Sequence, residues 1–286
     1  MRLAKLRLLP AVALLAVASV AQADPVLFDP QVGQAGSKGI SKDSALFQGW
    51  ATSVVDVRRG PQDIANPSGP LASFGDPSTA LGSLNDLTYG VVSLGDGGSI
   101  TLGFDAPIAD GAGADFAVFE NGFLSGGAGY AFLELAFVEV STDGVNFFRF
   151  DATSLTPTAT QLGGFATMDA RYINNLAGKY ISGYGTGFDL AELAGRSPLL
   201  DVMDINFVRI VDVVGSINPA YGSQDAFGNM VNDPYSTPFA SSGFDLAGVG
   251  VINFASPSAV PEPASLATAA IGLGLVAAVA RARRRS

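Results

Sequence analysis

The stretch Phe137-Val138-Glu139-Val140-Ser141-Thr142-Asp143-Gly144-Val145-Asn146-Phe147 places apolar residues on both sides of an Asp-Gly pair. Asp-Gly between apolar runs is a strong hairpin signal, because glycine reaches the positive φ that a tight turn requires. Ser93-Leu94-Gly95-Asp96-Gly97-Gly98-Ser99 carries the same signal and predicts a second hairpin. Working outward, short apolar runs bounded by Gly, Pro, Asn and Asp mark strands over 89–94, 99–104, 115–120, 132–140, 145–150, 207–213 and 244–253. Helical turns are expected near 172–180 and 190–194, and no long amphipathic helix appears. The pattern is that of an all-β, antiparallel protein.

Residues 24–84 are richer in Gly, Pro, Ser and Asp and hold the one tryptophan, Trp50. They read as a loop-rich lead-in packed on a β-sandwich domain of residues 85–255. The echo of Gly-Phe-Asp-Leu-Ala at 187–191 and 243–247 reads as a recurrent turn, since one five-residue match does not make a repeat.

Both ends carry processing signals. Residues 1–23 read as a secretory signal peptide: Arg2, Lys5 and Arg7, an apolar run over 8–20, then Ala21-Gln22-Ala23 for signal peptidase, which would leave Asp24 as the new N-terminus. Residues 256–286 contain Val260-Pro261-Glu262-Pro263, an uncharged stretch over 264–280, and a basic end over 281–286 with four arginines. The prolines keep the motif extended and accessible. The 17-residue stretch, as a helix, spans roughly 25 Å, just short of a hydrocarbon core. The arginines hold the end on the cytoplasmic side. The alternative is a permanent single-span anchor with a chance Pro-Glu-Pro.

This ordered trio resembles the PEP-CTERM sorting signal. The resemblance implies recognition of Val260, Pro261, Glu262 and Pro263 by an exosortase-type enzyme in a Gram-negative, exopolysaccharide-producing bacterium. It further implies transient anchoring in the inner membrane by a C-terminal transmembrane sorting helix. Cleavage near the motif would then deliver the product to the cell surface or extracellular matrix.

Between the two signals nine bases stand against 25 acids, a net charge of −16 where the whole chain has −10. Such a segment repels nucleic acid and anionic lipid and favours cations or neutral ligands. There is no cysteine, so stability does not rest on disulfides. The absence of histidine excludes Ser-His-Asp and Cys-His catalysis and leaves no expectation of a transition metal.

The Phe137–Phe147 segment is similar to the strand-turn-strand of discoidin-type, galactose-binding-like sandwiches. Phe207-Val208-Arg209-Ile210-Val211 is similar to a later strand of that family, and Leu102-Gly103-Phe104-Asp105-Ala106-Pro107-Ile108 to an earlier one. Residues 113–123, Gly-Ala-Asp-Phe-Ala-Val-Phe-Glu-Asn-Gly-Phe, resemble a motif of a recurrent domain of exported cell-surface proteins. The resemblance implies a jelly-roll-like β-sandwich with long Gly/Pro-rich loops, and sugars held in loops at one end.

Three kinds of candidate site follow. Calcium wants six to eight oxygens, and the loop over 225–234 offers Asp225, Asn229 and Asp233, with Asp245, Asp212 and the Glu120-Asn121-Gly122 turn nearby in other loops. The alternative for that loop is an Asx turn that satisfies its own backbone. For a ligand, Tyr184, Tyr221 and Tyr235 lie in Gly-rich loops, with Tyr130 and Phe227, and offer aromatic faces. A glycan hydrolase would need two facing carboxyls: Glu120 with Glu134 or Glu139. The odd spacing of Glu134 and Glu139 sends them to opposite faces of one strand. Otherwise these glutamates face solvent or pair with Arg149 and Arg209. The reading adopted is a non-enzymatic surface or matrix protein that binds a carbohydrate or small molecule, with exopolysaccharide as a partner. A purely structural or adhesive role and a hydrolase are the alternatives.

Overall fold

The hairpin at Ser141–Gly144 is formed in the computed structural model, which describes residues 27–86 and 90–256. Strand Ala136–Ser141 pairs antiparallel with Phe148–Arg149, setting Phe148 against Val140 and Arg149 against Glu139. Gly144 takes φ 75°, and the Asp143 Oδ1 accepts from the N–H groups of Val145 at 2.9 Å and Asn146 at 2.8 Å. Those donors let the loop run to Asn146 before pairing resumes, so the returning strand has only two residues.

The Ser93–Ser99 segment is not a hairpin. Val92–Ser93 pairs with Asp245 and Leu246 in one sheet, whereas Ser99–Ile108 lies in the other. The chain crosses between sheets because Asp96 turns inward, where it accepts from the Ile64 N–H at 2.8 Å. Gly60 and Gly98 permit the crossing: a Cβ on Gly60 would come 2.1 Å from the Asp96 carbonyl oxygen.

Two main antiparallel sheets result. The first runs Ile40–Ser41, Tyr184–Phe188, Phe116–Glu120, Asp245–Val251, Gly49–Trp50, with Val92–Ser93 also on Asp245–Val251. The second runs Phe148–Arg149, Ala136–Ser141, Ile205–Asp212, Ser99–Ile108, Ser53–Arg58. In the second sheet Val208, Ile210 and Asp212 are buried and alternate with Phe207, Arg209 and Val211, the period of two that puts one face on a core. That core is shared: Ile100, Leu102, Val138 and Val208 from the second sheet pack in one cluster with Phe116, Phe188, Leu246 and Val251 from the first. Phe116 lies 5.5 Å from Phe188 and 6.1 Å from Phe150, ring centre to ring centre. Truncating such a buried phenylalanine to alanine costs about 3–5 kcal/mol.

Strands Phe116–Glu120 and Asp245–Val251 are buried along their whole length, so they lack the alternation of a half-exposed strand. The cover on their outer face comes from residues 27–86: Phe47 and Trp50 pack on Phe119 at 5.7 and 5.5 Å. This segment also contributes Ser53–Arg58 to the edge of the second sheet. The 132–140 run is interrupted, with strands at Tyr130–Phe132 and Ala136–Ser141 and a buried link between them. The helical turn expected at 190–194 is a short 3₁₀ turn, Leu190–Leu193, capped by Asp189. The one expected over 172–180 does not form: a 3₁₀ turn capped by Asp169 spans Ala170–Tyr172, and Ile173–Asn174 then pairs as a strand with Thr153–Ser154. Among the described residues no helix is long and apolar enough to cross a membrane. The signal segment 1–23 and the sorting signal with its 264–280 span lie outside the described residues, apart from residue 256.

Candidate functional site

Strand Phe116–Glu120 ends on a glutamate with almost no surface, 1% exposed. Its neighbour Asp245–Val251 begins beside it, with Leu246 opposite Glu120. Glu120 Oε2 accepts from the Gly122 N–H at 2.6 Å, while Oε1 has no hydrogen-bond partner. Residue 122 is glycine for a reason: a Cβ there would come 2.7 Å from both Glu120 Oε2 and the Phe132 carbonyl oxygen. Asp245 accepts from the Ser93 hydroxyl and from Asn121 Nδ2, the latter at 3.2 Å. Glu134 sits in the buried link between Phe132 and Ala136 and feels the charges of Asp245, Glu120, Asp233 and Asp212.

Behind these three stand Asp212, which accepts from the N–H groups of Gly97 at 2.8 Å and Phe244 at 2.6 Å, and Asp233, which accepts from the Leu135 N–H at 3.1 Å. Asp96 completes the group. Burial, then the neighbouring acids, pushes Glu120, Glu134, Asp212 and Asp233 far above the usual carboxylate range. Burial lifts Asp96 and Asp245 to about 6. The cation that acts on Asp245 is Arg59. Its guanidinium is already tied to the carbonyl oxygens of Phe74, Ser93 and Gly75 at 2.8, 2.5 and 2.5 Å.

Glu134 and Asp245 reach a pocket of about 380 Å³ whose mouth is phenylalanine. Phe123 stacks on Phe132 at 5.2 Å, Phe132 meets Phe165 at 6.4 Å, and Phe165 meets Phe239 at 5.9 Å. Phe165 is 77% exposed, Phe123 55% and Phe239 47%, so three of the four rings present open faces to solvent. A small sheet, Phe123–Leu124, Tyr130–Phe132, Met168–Asp169, carries two of the rings, and loops carry the others. Exposed aromatics around a concave polar floor are the usual form of a small-ligand site.

The residues singled out from sequence do not converge on one place. Asp225 and Asn229 stay together in their loop: Asp225 Oδ1 accepts from the Phe227 and Asn229 N–H groups, both at 2.9 Å, and Oδ2 from the Ser154 N–H at 3.0 Å. Asn229 Nδ2 adds bonds to both oxygens. Burial raises the Asp225 carboxyl, but the donors from Ser154, Asn229 and Phe227 together bring it below its ordinary range. Asp233 and Asp245 belong to the buried carboxylate group instead. Tyr221 and Tyr235 meet at 6.0 Å, with the Tyr235 hydroxyl donating to Asp63 at 2.8 Å, while Tyr184 lies on a strand beside Ser41. None of the three tyrosines lines the phenylalanine pocket. Glu139 pairs with Arg149 at 2.8 Å and Arg209 at 3.5 Å. Glu134 is buried rather than solvent-facing, because the strand breaks before it.

The sequence reading did not single out the phenylalanine mouth as a site, although the 113–123 motif contains Glu120, Asn121 and Phe123. It also did not single out Asp110, Asp115 and Asp189, whose carboxylate oxygens lie within 4.8 Å of one another. Asp115 accepts there from the Gly111 and Leu190 N–H groups and from Asn253 Nδ2, at 2.8, 2.7 and 2.8 Å.

Residues 259–285 match the family of the PEP-CTERM protein-sorting motif. The match supports an exported, exosortase-sorted surface protein that is anchored transiently and then displayed. A comparison with curated proteins found no match.

Proposed function

We propose that the displayed domain is a non-enzymatic binding module of the cell surface or matrix, and that it takes a glycan or small molecule in the phenylalanine-mouthed pocket. The observation that carries this is the row Phe123, Phe132, Phe165 and Phe239 above Glu134 and Asp245. Apolar ring faces suit the C–H faces of sugars, and the carboxylates below suit hydroxyls. The discoidin-type, jelly-roll reading belongs to the same proposal, supported by two antiparallel sheets on one core. So do release by signal peptidase before Asp24 and a Gram-negative, exopolysaccharide-producing source. The test is co-sedimentation of the protein with the matrix polysaccharide of its own bacterium. Wild type should sediment with it and Phe165→Ala several-fold less. Failure of both to sediment would favour a structural or adhesive role with no discrete ligand.

Calcium belongs to the proposal as a structural ion. The geometry that supports it is the convergence of carboxylate oxygens of Asp110, Asp115 and Asp189. A hydrolase reading would pair Glu120 with Glu134, two buried acids held toward the protonated form. Release of new reducing ends from the matrix polysaccharide would favour it over simple binding.

A further inference from the structure

The pocket holds more carboxylate than a neutral sugar needs. Glu134 and Asp245 line it, and Asp245, Glu120, Asp233 and Asp212 stand close enough to raise the cost of ionising Glu134. Against this group Arg59 is the one cation that acts on Asp245, and its donors already serve three carbonyl oxygens. Glu120 Oε1, buried with no donor, is an unanswered acceptor within the group. A buried acceptor left in this way is costly, and a group of like charges compounds the cost.

Two kinds of cation could answer it. A calcium ion draws oxygens to about 2.3–2.6 Å and so needs carboxylates that converge tightly. Among the described residues only Asp110, Asp115 and Asp189 bring three carboxylate oxygens within 4.8 Å, and Glu120, Glu134 and Asp245 do not. The wider spacing fits an organic cation, whose N–H groups reach oxygens at hydrogen-bond distance and whose carbon frame needs an apolar wall. The wall is present as Phe165 and Phe239, with ring faces that also attract a cation directly.

We propose that the pocket recognises a protonated amine, and that its ligand class is a glycan bearing free amino groups. The ammonium lies against Glu134 and Asp245, and the sugar ring lies against Phe165 and Phe239. This rests on the pocket being a glycan site, and the experiment separates the two ideas. The full chain in detergent, at physiological salt, is titrated calorimetrically with a tetramer of glucosamine and with a tetramer of N-acetylglucosamine. The amine form should bind at least about tenfold more tightly. Glu134→Gln should remove that preference, and Asp105→Asn, on an exposed position, should leave it intact. Equal affinity for the two tetramers would overturn the amine inference and leave a sugar pocket. An equal loss from Asp105→Asn would overturn it as general attraction to an acidic protein. No binding of either tetramer would overturn both ideas. The comparison of the two tetramers on wild type needs no variant to fold.

Discussion

Glu120 and Asp245 set two carboxyl groups close together at the meeting of two fully buried strands, and Glu120 Oε1 has no hydrogen-bond partner. The strand register forces this proximity, since Leu246 stands opposite Glu120. A glutamine at 120 keeps the acceptor, removes a carboxyl whose ionisation burial opposes, and adds an N–H that can point toward Asp245. Glu120→Gln should therefore stabilise the protein at neutral pH by about 1–3 kcal/mol, read by urea unfolding. A loss of stability would mean that Glu120 is already neutralised by a bound group.

The same acids set the response to pH. Asp96 and Asp245 are raised to about 6 in the folded protein against 3.8 for the ordinary carboxyl. The folded state therefore binds more protons than the unfolded state in that window, and stability falls as pH rises from about 4 to about 6. Glu120, Glu134, Asp212 and Asp233 are raised further and extend the decline to higher pH. Asp29, Asp169 and Asp225, lowered by their partners, act oppositely: their contribution is lost as pH falls below the ordinary carboxylate range. The melting temperature should be higher at pH 5 than at pH 7.5, with a second fall in strong acid. A melting temperature that climbs steadily from pH 5 to 7.5 would count against an uncompensated carboxylate group.

Phe165→Ala should separate binding from stability. The ring is 77% exposed, so its removal should change unfolding free energy by less than about 0.5 kcal/mol. Polysaccharide binding should nevertheless fall several-fold, because an aromatic anchor is lost. Unchanged co-sedimentation would remove this pocket from the function.

Calcium has a direct readout. If an ion is held by Asp110, Asp115 and Asp189, excess calcium should raise the melting temperature relative to chelator, and Asp189→Asn should abolish the rise. A gain of 1 kcal/mol corresponds to about 2–4 °C in a domain of this size. Identical melting curves would dismiss the ion.

The architecture was legible from sequence because its signals are local. Asp-Gly at 143–144 predicts a turn that forms, and the apolar runs at 99–104 and 207–213 predict strands that pair. The second Asp-Gly misled because Asp96 is buried and bonded to the backbone of Ile64, a partner 32 positions away. Glu134 was misplaced for a similar reason: its strand breaks where Leu135 takes the Asp233 carboxylate as partner. The site was less legible, since Phe123, Phe132, Phe165 and Phe239 come from separate elements and each alone looks like core. Composition gave one true hint, that of excess acid. It could not show that six of those acids are buried together.

Strand Asp245–Val251 also sets how far the pocket stands from the last described residues of the chain. It starts at the pocket and runs seven residues, about 20 Å at strand rise, to the end where Phe254 bridges Ile108. From there the chain continues to the sorting motif at 259–285. The phenylalanine mouth and the residue from which the chain leaves toward the sorting motif therefore stand at opposite ends of one strand, separated by its full length.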